Sequence, residues 1–374
     1  MGKKIAIVGA GNAGCISALQ LYFLKEEEQD DVIGEIEIYH DPDLPIERVG
    51  QGLQLDTRTT VFDCLGMNWI DKNLINATIK QGINYEGWGK KNPNFFHAFG
   101  GGEVAAHYIP SLLSQETLKS GLFKVVEKNI TDIDNQVDAD YVIDCRGTPD
   151  VLDDKYEILR NPLNSVILAK EDGKDVDLLY TRHVATPNGW TFIIPNHDSV
   201  SYGYLYNSDI TSRDDAEKDM IGRFGVEPDS NLSFQNYVAK DVWADKRTLL
   251  NGNRYSFIEP MEATASSVHA DVASTLYAML IDEIFQSEVN PHMNKHVKRC
   301  QDFILWHYKT GSIYDTPFWK HASKLKYSKK KDIENYIESS KNAPRITPDI
   351  EDENDEDFGQ WGPPSFKCWY DNTN

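Results

Sequence analysis

The sequence predicts an α/β fold in which a Rossmann-like βαβ layer is interleaved with an antiparallel β layer and followed by a helical C-terminal region. Three observations predict it: the β-branched run 5–8 leads directly into a glycine-rich turn, apolar and polar residues alternate within 165–210, and apolar residues recur at helical spacing within 268–335. With 374 residues, of which 40% are hydrophobic, the chain can form a sizeable core.

The first predicted element is a strand over Ile5–Val8, whose apolar β-branched residues are typical of a strand buried on both faces. The turn Gly9–Gly14 follows it immediately. A helix is predicted over Cys15–Lys25, and a second strand over Glu35–Tyr39 completes the βαβ unit.

The turn between this strand and this helix reads Gly-Ala-Gly-Asn-Ala-Gly. Gly9 permits a tight turn, Gly11 lets the backbone approach a pyrophosphate, and Gly14 lets helix and strand pack closely. The helix start, with Asn12 and Ala13, offers amide donors to phosphates. The pattern therefore predicts a dinucleotide site; the alternative is a glycine turn that only packs a helix onto a sheet.

The end of the second strand is the expected place for an acid that binds the ribose hydroxyls. The sequence there is Tyr39-His40-Asp41, so His40 stands where the acid is expected and Asp41 is adjacent. Either could bond a hydroxyl, and position alone does not separate NAD from FAD.

Later segments predict a second layer and a helical end. Residues 69–99 have short alternating segments with many aromatics, a buried strand returns near Ala139–Asp144, and 165–210 alternates as in antiparallel sheet. Within the helical region, one face is expected to carry Tyr277, Leu280, Ile281, Ile284 and Phe285.

Composition limits the function classes. Lys plus Arg is 38 and Asp plus Glu is 59, a formal net charge of −21, which argues against nucleic-acid and membrane-surface binding. There is no apolar stretch of the ~18–20 residues that a membrane span needs. The N-terminus enters a strand pattern at once, which leaves no room for a signal peptide.

The five cysteines are few and never spaced as CxxC. This usage argues against a disulfide framework and a metal site, and it predicts a reducing cytoplasmic location.

The C-terminal residues 336–374 are predicted to be an acidic, flexible tail, because seven acidic residues fall between Asp349 and Asp357. A docking role for the aromatic residues Trp361, Trp369 and Tyr370 is the alternative.

A series of further segments specifies a family. In chain order they are Ile79-Lys80-Gln81-Gly82-Ile83-Asn84-Tyr85-Glu86-Gly87-Trp88-Gly89, Phe96-His97-Ala98-Phe99-Gly100, Asp140-Tyr141-Val142-Ile143-Asp144-Cys145-Arg146-Gly147, Gly189-Trp190-Thr191-Phe192-Ile193-Ile194-Pro195, Phe257-Ile258-Glu259-Pro260-Met261-Glu262-Ala263-Thr264, Asp302-Phe303-Ile304-Leu305-Trp306-His307-Tyr308 and Asp315-Thr316-Pro317-Phe318-Trp319. Together they resemble the flavin-dependent halogenases of the tryptophan-halogenase type, from residue 3 to about residue 325. The size resembles compact viral or bacterial members.

The resemblance implies a two-component enzyme with the fold of the aromatic monooxygenases. Reduced FAD, supplied by a separate flavin reductase in a transient encounter, O2 and a halide (chloride, bromide or iodide) give hypohalous acid. An electron-rich aromatic small molecule is then halogenated.

The same resemblance assigns two catalytic residues. Lys80 falls on the lysine that carries or orients the electrophilic halogen. Glu262 falls on the glutamate that stabilises the cationic ring or accepts its proton. The backbone amides of Thr264 and Ala265 correspond to the halide site.

The remaining assignments concern cofactor and substrate. The strip Gly50-Gln51-Gly52 matches the segment that connects the flavin with the active centre, and Gly147 and Gly252 match flavin-contacting glycines. His97 and Phe99 match residues that stack on the aromatic substrate.

Four positions depart from the family pattern. Gln51 replaces a glutamate, Phe192 a tryptophan, Ala263 a serine and Ala265 a glycine. No metal ligand is expected.

The resemblance also organises the chain as a single interleaved domain over 1–335. The FAD layer is predicted mainly over 1–68, 100–160 and 240–280; the substrate layer mainly over 69–99 and 161–239; and the helical part over 281–335.

Two alternatives remain open: a flavin-dependent aromatic monooxygenase of the same fold, which has no use for Lys80, and a catalytically degenerate FAD-binding protein. An NAD-dependent dehydrogenase is disfavoured, because nothing resembles a hydride-transfer site. The short C-terminal region favours a free aromatic molecule over tryptophan as substrate. The oligomeric state is open, a homo-oligomer included.

Overall fold

The computed structural model describes residues 2–29, 31–99, 104–173, 178–343 and 358–373. Its strands are β1 Lys3–Val8, β2 Ile33–His40, β3 Gln51–Leu53, β4 Thr78–Lys80, β5 Gly82–Glu86, β6 Asn94–Ala98, β7 Ala105–Tyr108, β8 Lys124–Glu127, β9 Tyr141–Asp144, β10 Tyr156–Ile158, β11 Ser165–Asp172, β12 Thr181–Thr186, β13 Gly189–Asn196, β14 Ser199–Tyr206, β15 Ser230–Ser233, β16 Tyr237–Ala239, β17 Thr248–Leu250 and β18 Ser256–Phe257. Its helices are α1 Asn12–Glu28, α2 Leu55–Cys64, α3 Pro110–Lys119, α4 Ile133–Gln136, α5 Arg213–Phe224, α6 Thr264–Leu280, α7 Gln286–Thr310, α8 Pro317–Ala322, α9 Lys330–Ser340 and α10 Pro363–Thr373.

The chain divides into two compact units, each assembled from three separate segments. The first unit comprises Met1–Ala77, Tyr108–Glu157 and Tyr237–Val297, and the second comprises Thr78–His107, Ile158–Asn236 and Lys298–Asn374.

The first unit is built on a five-stranded parallel sheet of order β17-β9-β1-β2-β8. Strand β1 is central, and Ile5, Ala6 and Ile7 have no exposed surface, as expected for a strand covered on both faces. The predicted βαβ unit is confirmed.

The second unit contains a seven-stranded sheet of order β15-β11-β14-β13-β12-β5-β6, antiparallel except for the parallel pair of β12 and β5. The antiparallel prediction for 165–210 is confirmed. Every residue of β13 and β14 is buried, so these two strands are central on both faces. Helix α5 packs Ala216 and Met220 into the core cluster formed with these strands. A short antiparallel pair, β4 with β7, belongs to the same unit at Thr78–Lys80.

The helical prediction needs one correction. Helix α6 ends at Leu280, and the chain turns through Asp282, whose φ of 61° is left-handed. The predicted apolar face therefore stops there, and Phe285 is 76% exposed.

The predicted flexible tail also needs correction where the structure describes it. Helix α9 extends to Ser340, and α10 buries Phe366 and Trp369 completely. These aromatic side chains bury enough apolar surface to order the helix, which the acidity of the neighbouring block obscured. The acidic block itself, Asp349–Asp357, and Gly100 lie outside the described residues.

Among the described residues, no helix combines the length and the apolar character needed to cross a membrane.

Candidate active site

The glycine-rich turn of the first unit joins β1 to α1 in the geometry that a phosphate cradle requires. Gly9 has a φ of 109°, and a Cβ there would lie 2.5 Å from the carbonyl oxygen of Cys145. A Cβ at Gly14 would lie 1.8 Å from the carbonyl oxygen of Gly9. Both positions therefore require glycine, because the helix and the sheet approach each other too closely for a side chain.

The same turn is open where a ligand would approach. A Cβ at Gly11 would meet none of the described atoms within 4 Å. Gly11 precedes the first turn of α1, has no side chain to cap it, and is followed by a first turn without acidic residues. The positive end of the helix dipole is thus left for an anion, so these residues fit a dinucleotide pyrophosphate.

The carboxyl end of β2 lies beside this cradle. Val8 pairs with Tyr39, so His40 lies opposite the start of the turn Gly9–Gly14. The amide of Gly9 donates to the carbonyl oxygen of Tyr39 at 2.8 Å. The carboxylate of Asp41 accepts from the amide of Asp43 at 3.0 Å. His40 therefore keeps the position predicted for the ribose contact, while Asp41 already caps a local turn.

A second acid on β2 is committed to the fold. Glu37 is 1% exposed and accepts from the hydroxyl of Tyr39 at 2.8 Å. The ammonium groups of Lys4, at 3.0 Å, and Lys124 also contact its carboxylate. With three donors already in place, Glu37 has a structural role.

The predicted flavin strip Gly50–Gly52 is joined to the cradle by a directional chain of hydrogen bonds. The hydroxyl of Tyr108 donates to Oδ1 of Asn12, whose Nδ2 donates to Oε1 of Gln51 at 2.9 Å. Nε2 of Gln51 then donates to the carboxylate of Glu47 at 2.7 Å. The strip and the start of α1 are therefore held in one fixed arrangement.

Gly147, which follows β9, has a φ of 79°. The loop before it is fixed by Asp144, whose two carboxylate oxygens accept from Nε and a terminal nitrogen of Arg146 at 2.8 and 2.7 Å. Arg146 also donates to the carbonyl oxygen of Ile130 at 3.1 Å. This bidentate pair holds the loop and leaves Gly147 at its end.

Gly252 has a φ of 60°, and a Cβ there would lie 2.6 Å from the methyl group of Ala13 in α1. The preceding Asn251 is fully buried and organises this approach: its Nδ2 donates to the hydroxyl of Ser17 at 2.8 Å and to the carbonyl oxygen of His269 at 2.9 Å. Asn251 thus joins α1 and α6 beside the cradle.

The predicted acid Glu262 is fully buried and lies on a left-handed turn. Its φ and ψ are 67° and 5°, and those of Ala263 are 53° and 35°. Helix α6 begins at the next residue, Thr264, with no acidic residue in its first turn. Ala263 has no side-chain oxygen to cap the helix, and the amides of Thr264 and Ala265 lie in the first turn of α6, at the positive end of its dipole.

The second unit carries the predicted catalytic lysine. Lys80 ends β4 and is 1% exposed, and its Nζ lies 5.3 Å from the centroid of the Phe99 ring. Burial of a lysine is uncommon, because it is unfavourable unless the ammonium group is paired or hydrogen-bonded.

A buried histidine lies on the same face of the β4–β7 pair. Thr78 pairs with His107 across the two strands. The Thr78 hydroxyl donates its one proton to the carbonyl oxygen of Pro195 at 2.6 Å. The same hydroxyl must therefore accept from Nδ1 of His107, which lies 2.9 Å away. Nε2 of His107 lies 2.8 Å from the hydroxyl of Thr181 and accepts from it. These partners assign the proton to Nδ1.

His107 stays neutral in this environment. Burial lowers its pKa well below the ordinary value, and the charge of Lys80 lowers it further. The imidazole therefore adds no second positive charge beside the lysine.

The two predicted substrate residues lie on β6 and just beyond it. Phe99 is half-buried next to Lys80, whereas His97 is 3% exposed. Nε2 of His97 lies 2.9 Å from the hydroxyl of Ser365 in α10, and its ring lies 5.5 Å from that of Trp361. The C-terminal segment 358–373 thus covers His97 and leaves Phe99 as the aromatic neighbour of the lysine.

The Trp-x-Phe motif lies in β13. Trp190 is fully buried and donates from Nε1 to the hydroxyl of Tyr308 at 2.8 Å. Phe192 pairs with Gly203 in β14. A Cβ at Gly203 would lie 2.1 Å from the phenyl ring of Phe192. The missing side chain of Gly203 makes room for the Phe192 ring, which is buried against the strand.

Sequence reasoning missed three residues that organise these sites: Asn251, His107 and Gln54, whose side-chain amide donates to the carbonyl oxygen of Glu262 at 2.7 Å. The asparagine had a local signal, since it precedes a glycine with positive φ. The other two act through residues far away in the chain, so no short pattern identifies them.

Comparisons with known proteins identify the family. A family model described as tryptophan halogenase matches residues 4–120 and 115–360. Tryptophan 7-halogenase KtzQ of Kutzneria sp. (strain 744) is 24% identical over 208 residues, which cover 51% of this chain and 39% of that protein. Tryptophan 7-halogenase RebH of Lentzea aerocolonigenes is 22% identical over 431 aligned positions, covering 86% of this chain and 79% of that protein.

The fold has a solved counterpart in BrvH, a flavin-dependent halogenase from Brevundimonas sp. BAL3. The TM-score is 0.77 at 18% identity, covering 99% of this chain and 90% of BrvH. This likeness confirms the predicted fold class. The match to KtzQ spans about two fifths of that relative's length.

Since the family model covers nearly all of residues 4–360, the resemblance read from the sequence is confirmed, and the chain belongs to the tryptophan halogenase family of flavin-dependent halogenases.

Proposed function

We propose that this protein uses reduced FAD, O2 and a halide to halogenate an electron-rich aromatic small molecule. The observation that carries the proposal is the fully buried Lys80 beside Phe99, within a chain whose other unit has an open phosphate cradle. A hydroxylase of the same fold would have no use for that amine.

The cofactor would be held by residues of the first unit. The turn Gly9–Gly14 would bind the pyrophosphate, His40 would contact the ribose, and the strip Gly50–Gly52 with Gly147 and Gly252 would line the remaining length. When bound, reduced FAD supplies two electrons, so that with O2, one halide ion and one proton the products are oxidised FAD, hypohalous acid and water.

Halide binding would fall to the start of α6. The first amides, at Thr264 and Ala265, point from an uncapped helix end, and the helix dipole favours an anion there. Glu262, two residues before α6, would stabilise the cationic ring or accept its proton.

Lys80 would present the electrophilic halogen to the ring. Its amine either hydrogen-bonds hypohalous acid or exchanges an N–H for an N–halogen bond with loss of water. Neutral His107 supports either route, because it leaves the lysine without a competing cation on the same sheet face.

The substrate would be a free aromatic molecule rather than tryptophan. Phe99 offers an aromatic surface next to the lysine, while His97 is covered by the C-terminal segment 358–373. This arrangement supports a compact site for a phenol or an indole. A separate flavin reductase would supply the reduced cofactor.

The direct test is an assay of the full chain with FAD, a flavin reductase, NADH and chloride, bromide or iodide, using phenols and indoles as substrates. The proposal predicts halogenated products by mass spectrometry, in amounts that depend on halide. Oxygen added to the ring independently of halide would support the hydroxylase alternative. Absence of every halogenated product would refute the proposed function.

A further inference from the structure

The turn that carries Glu262 is strained. Two consecutive non-glycine residues, Glu262 and Ala263, have φ values of 67° and 53°. Each left-handed residue with a side chain costs about 1–2 kcal/mol, so surrounding contacts must hold the turn in this conformation.

The side chain of Gln54 supplies some of these contacts. Nε2 of Gln54 donates to the carbonyl oxygen of Glu262 at 2.7 Å and lies 3.5 Å from that of Ala263. The backbone amide of Gln54 donates to the hydroxyl of Ser266 at 3.3 Å, and that hydroxyl donates to the carbonyl oxygen of Ala263 at 3.4 Å. Gln54 therefore contacts the turn directly through its side chain, and its backbone amide is joined to the turn through the hydroxyl of Ser266.

Gln54 lies next to the predicted flavin strip in the chain, so its contact with the turn joins these two regions. It directly follows β3, which contains two residues of the strip Gly50–Gly52, and directly precedes α2. Its side chain does not cap α2, although it stands at the cap position. The side-chain amide of Gln54 instead donates to the carbonyl oxygen of Glu262, 208 residues away in the chain.

We propose that Gln54 is a positioning residue for Glu262: it holds the left-handed turn and thereby sets the direction of the Glu262 carboxyl group and of the first amides of α6. This inference rests on the proposed function for its catalytic consequence only; the restraint on the backbone stands on the contacts above. It makes Gln54 the link between the flavin strip and the halide-binding end of α6.

The chemistry requires a donor at this position. Both partners are carbonyl oxygens, which an amide nitrogen can satisfy and a carboxylate cannot. Gln54→Glu would keep the size but place an acceptor against acceptors. We therefore expect Gln54→Glu to be at least as damaging as Gln54→Ala.

The kinetic test compares the parent, Gln54→Ala and Gln54→Glu with bromide and indole as probes. Both variants are expected to raise the KM for bromide and lower kcat, each by roughly three- to tenfold, the effect of losing one hydrogen bond. FAD affinity should stay within about twofold, because the phosphate cradle is untouched. The exposed Gln115→Ala is the matched control and should behave as the parent.

A second substitution separates positioning from general destabilisation. Glycine accepts a positive φ without a Cβ penalty, so Gln54→Ala combined with Ala263→Gly should recover most of the lost kcat. Full activity in Gln54→Ala, or no recovery in the double variant, would overturn the positioning role.

Crystal structures of the same variants test the restraint without any reaction. In Gln54→Ala, residues 262 and 263 are expected to leave the left-handed region, and in the double variant they are expected to stay there. An unchanged turn in Gln54→Ala would refute the inference even if the enzyme halogenates. Conversely, a parent that forms no halogenated product would refute the proposed function while these structures still decide the role of Gln54.

Discussion

Gln51 lies between a donor and an acceptor, and only a side-chain amide satisfies both. Asn12 donates to its oxygen, and its nitrogen donates to Glu47, so the strip is fixed to the start of α1. A glutamate at this position would place two carboxylates about one hydrogen bond apart. The glutamine at position 51, where the family pattern has a glutamate, is therefore complementary to the carboxylate of Glu47.

We predict that Gln51→Glu weakens FAD binding by about tenfold, because like charges at this distance disfavour the arrangement that holds Asn12. The combined change Gln51→Glu with Glu47→Gln restores one donor and one acceptor and should recover most of the affinity. Isothermal titration with oxidised FAD measures both variants. An unchanged Kd in Gln51→Glu would show that the chain of hydrogen bonds does not orient the cradle.

At the scale of elements, α6 carries a buried histidine, His269, in its second turn. Burial lowers the pKa of His269 to about 4. The ordinary value in an unfolded chain is about 6.5. Above pH 6.5 both states are neutral, so His269 contributes no pH dependence there. As the pH falls from 6.5 to 4, the unfolded state takes up the proton first, and the free energy of unfolding decreases by up to about 3 kcal/mol.

We therefore predict that His269→Leu loses less stability than the parent between pH 6.5 and pH 4. Chemical denaturation at several pH values measures the difference. His292→Gln, an exposed histidine change on α7, is the control and should follow the parent curve. Parallel curves for parent and His269→Leu would show that His269 does not titrate in this window.

Trp369 is the larger of the two aromatic side chains that α10 buries completely. Trp369 is fully buried; its ring centroid lies 3.8 Å from that of His307 and 4.7 Å from that of Tyr85. Tyr370, next on the same helix, is half-buried and has Nζ of Lys341 5.0 Å from its ring centroid.

Trp369→Ala is predicted to lower the free energy of unfolding of the second unit by about 3–5 kcal/mol, as expected for a buried tryptophan. Tyr370→Ala should have a much smaller effect. Urea unfolding, together with limited proteolysis of the C-terminal segment, measures both. Equal effects for the two variants would contradict the anchoring role of Trp369.

Features formed by contiguous residues could be predicted from the sequence, whereas those that depend on distant contacts could not. The cradle was predictable because its strand, glycines and helix are contiguous, and their spacing carries the geometry. The left-handed turn at Glu262–Ala263 was not, because neither residue type favours it and the stabilising donor, Gln54, is distant in the chain. Trp369 was assigned to a flexible tail because its partners come from Tyr85, Phe95 and His307, contacts that no local pattern shows.

At the scale of the whole molecule, the proposed function requires a chain with a net charge of −21 to bind anions. Local donors would supply the attraction: the amides of the turn Gly9–Gly14 and those at the start of α6 in the first unit, and Lys80 in the second. Seven of the acidic residues lie in the block Asp349–Asp357. Because exposed charges are screened beyond about 10 Å at 0.1 M salt, oriented donors in contact with an anion would outweigh the net charge of the chain.

Under the proposed function, the first unit would prepare the oxidant, and the second, through Lys80, would transfer the halogen. FAD binding and NADH-driven oxygen consumption should therefore survive loss of the lysine. Lys80→Met keeps most of the buried volume, Lys80→Ala removes it, and the exposed Lys90→Ala serves as the control.

The most direct test is the amount of halogenated product formed per NADH consumed by these variants, with bromide and an indole. We predict at least about a hundredfold loss of product in both Lys80 variants, with oxygen consumption and FAD affinity close to the parent and with Lys90→Ala unchanged. Halogenation at the parental level in Lys80→Met, with the protein folded and FAD bound, would contradict the assignment of halogen transfer to Lys80.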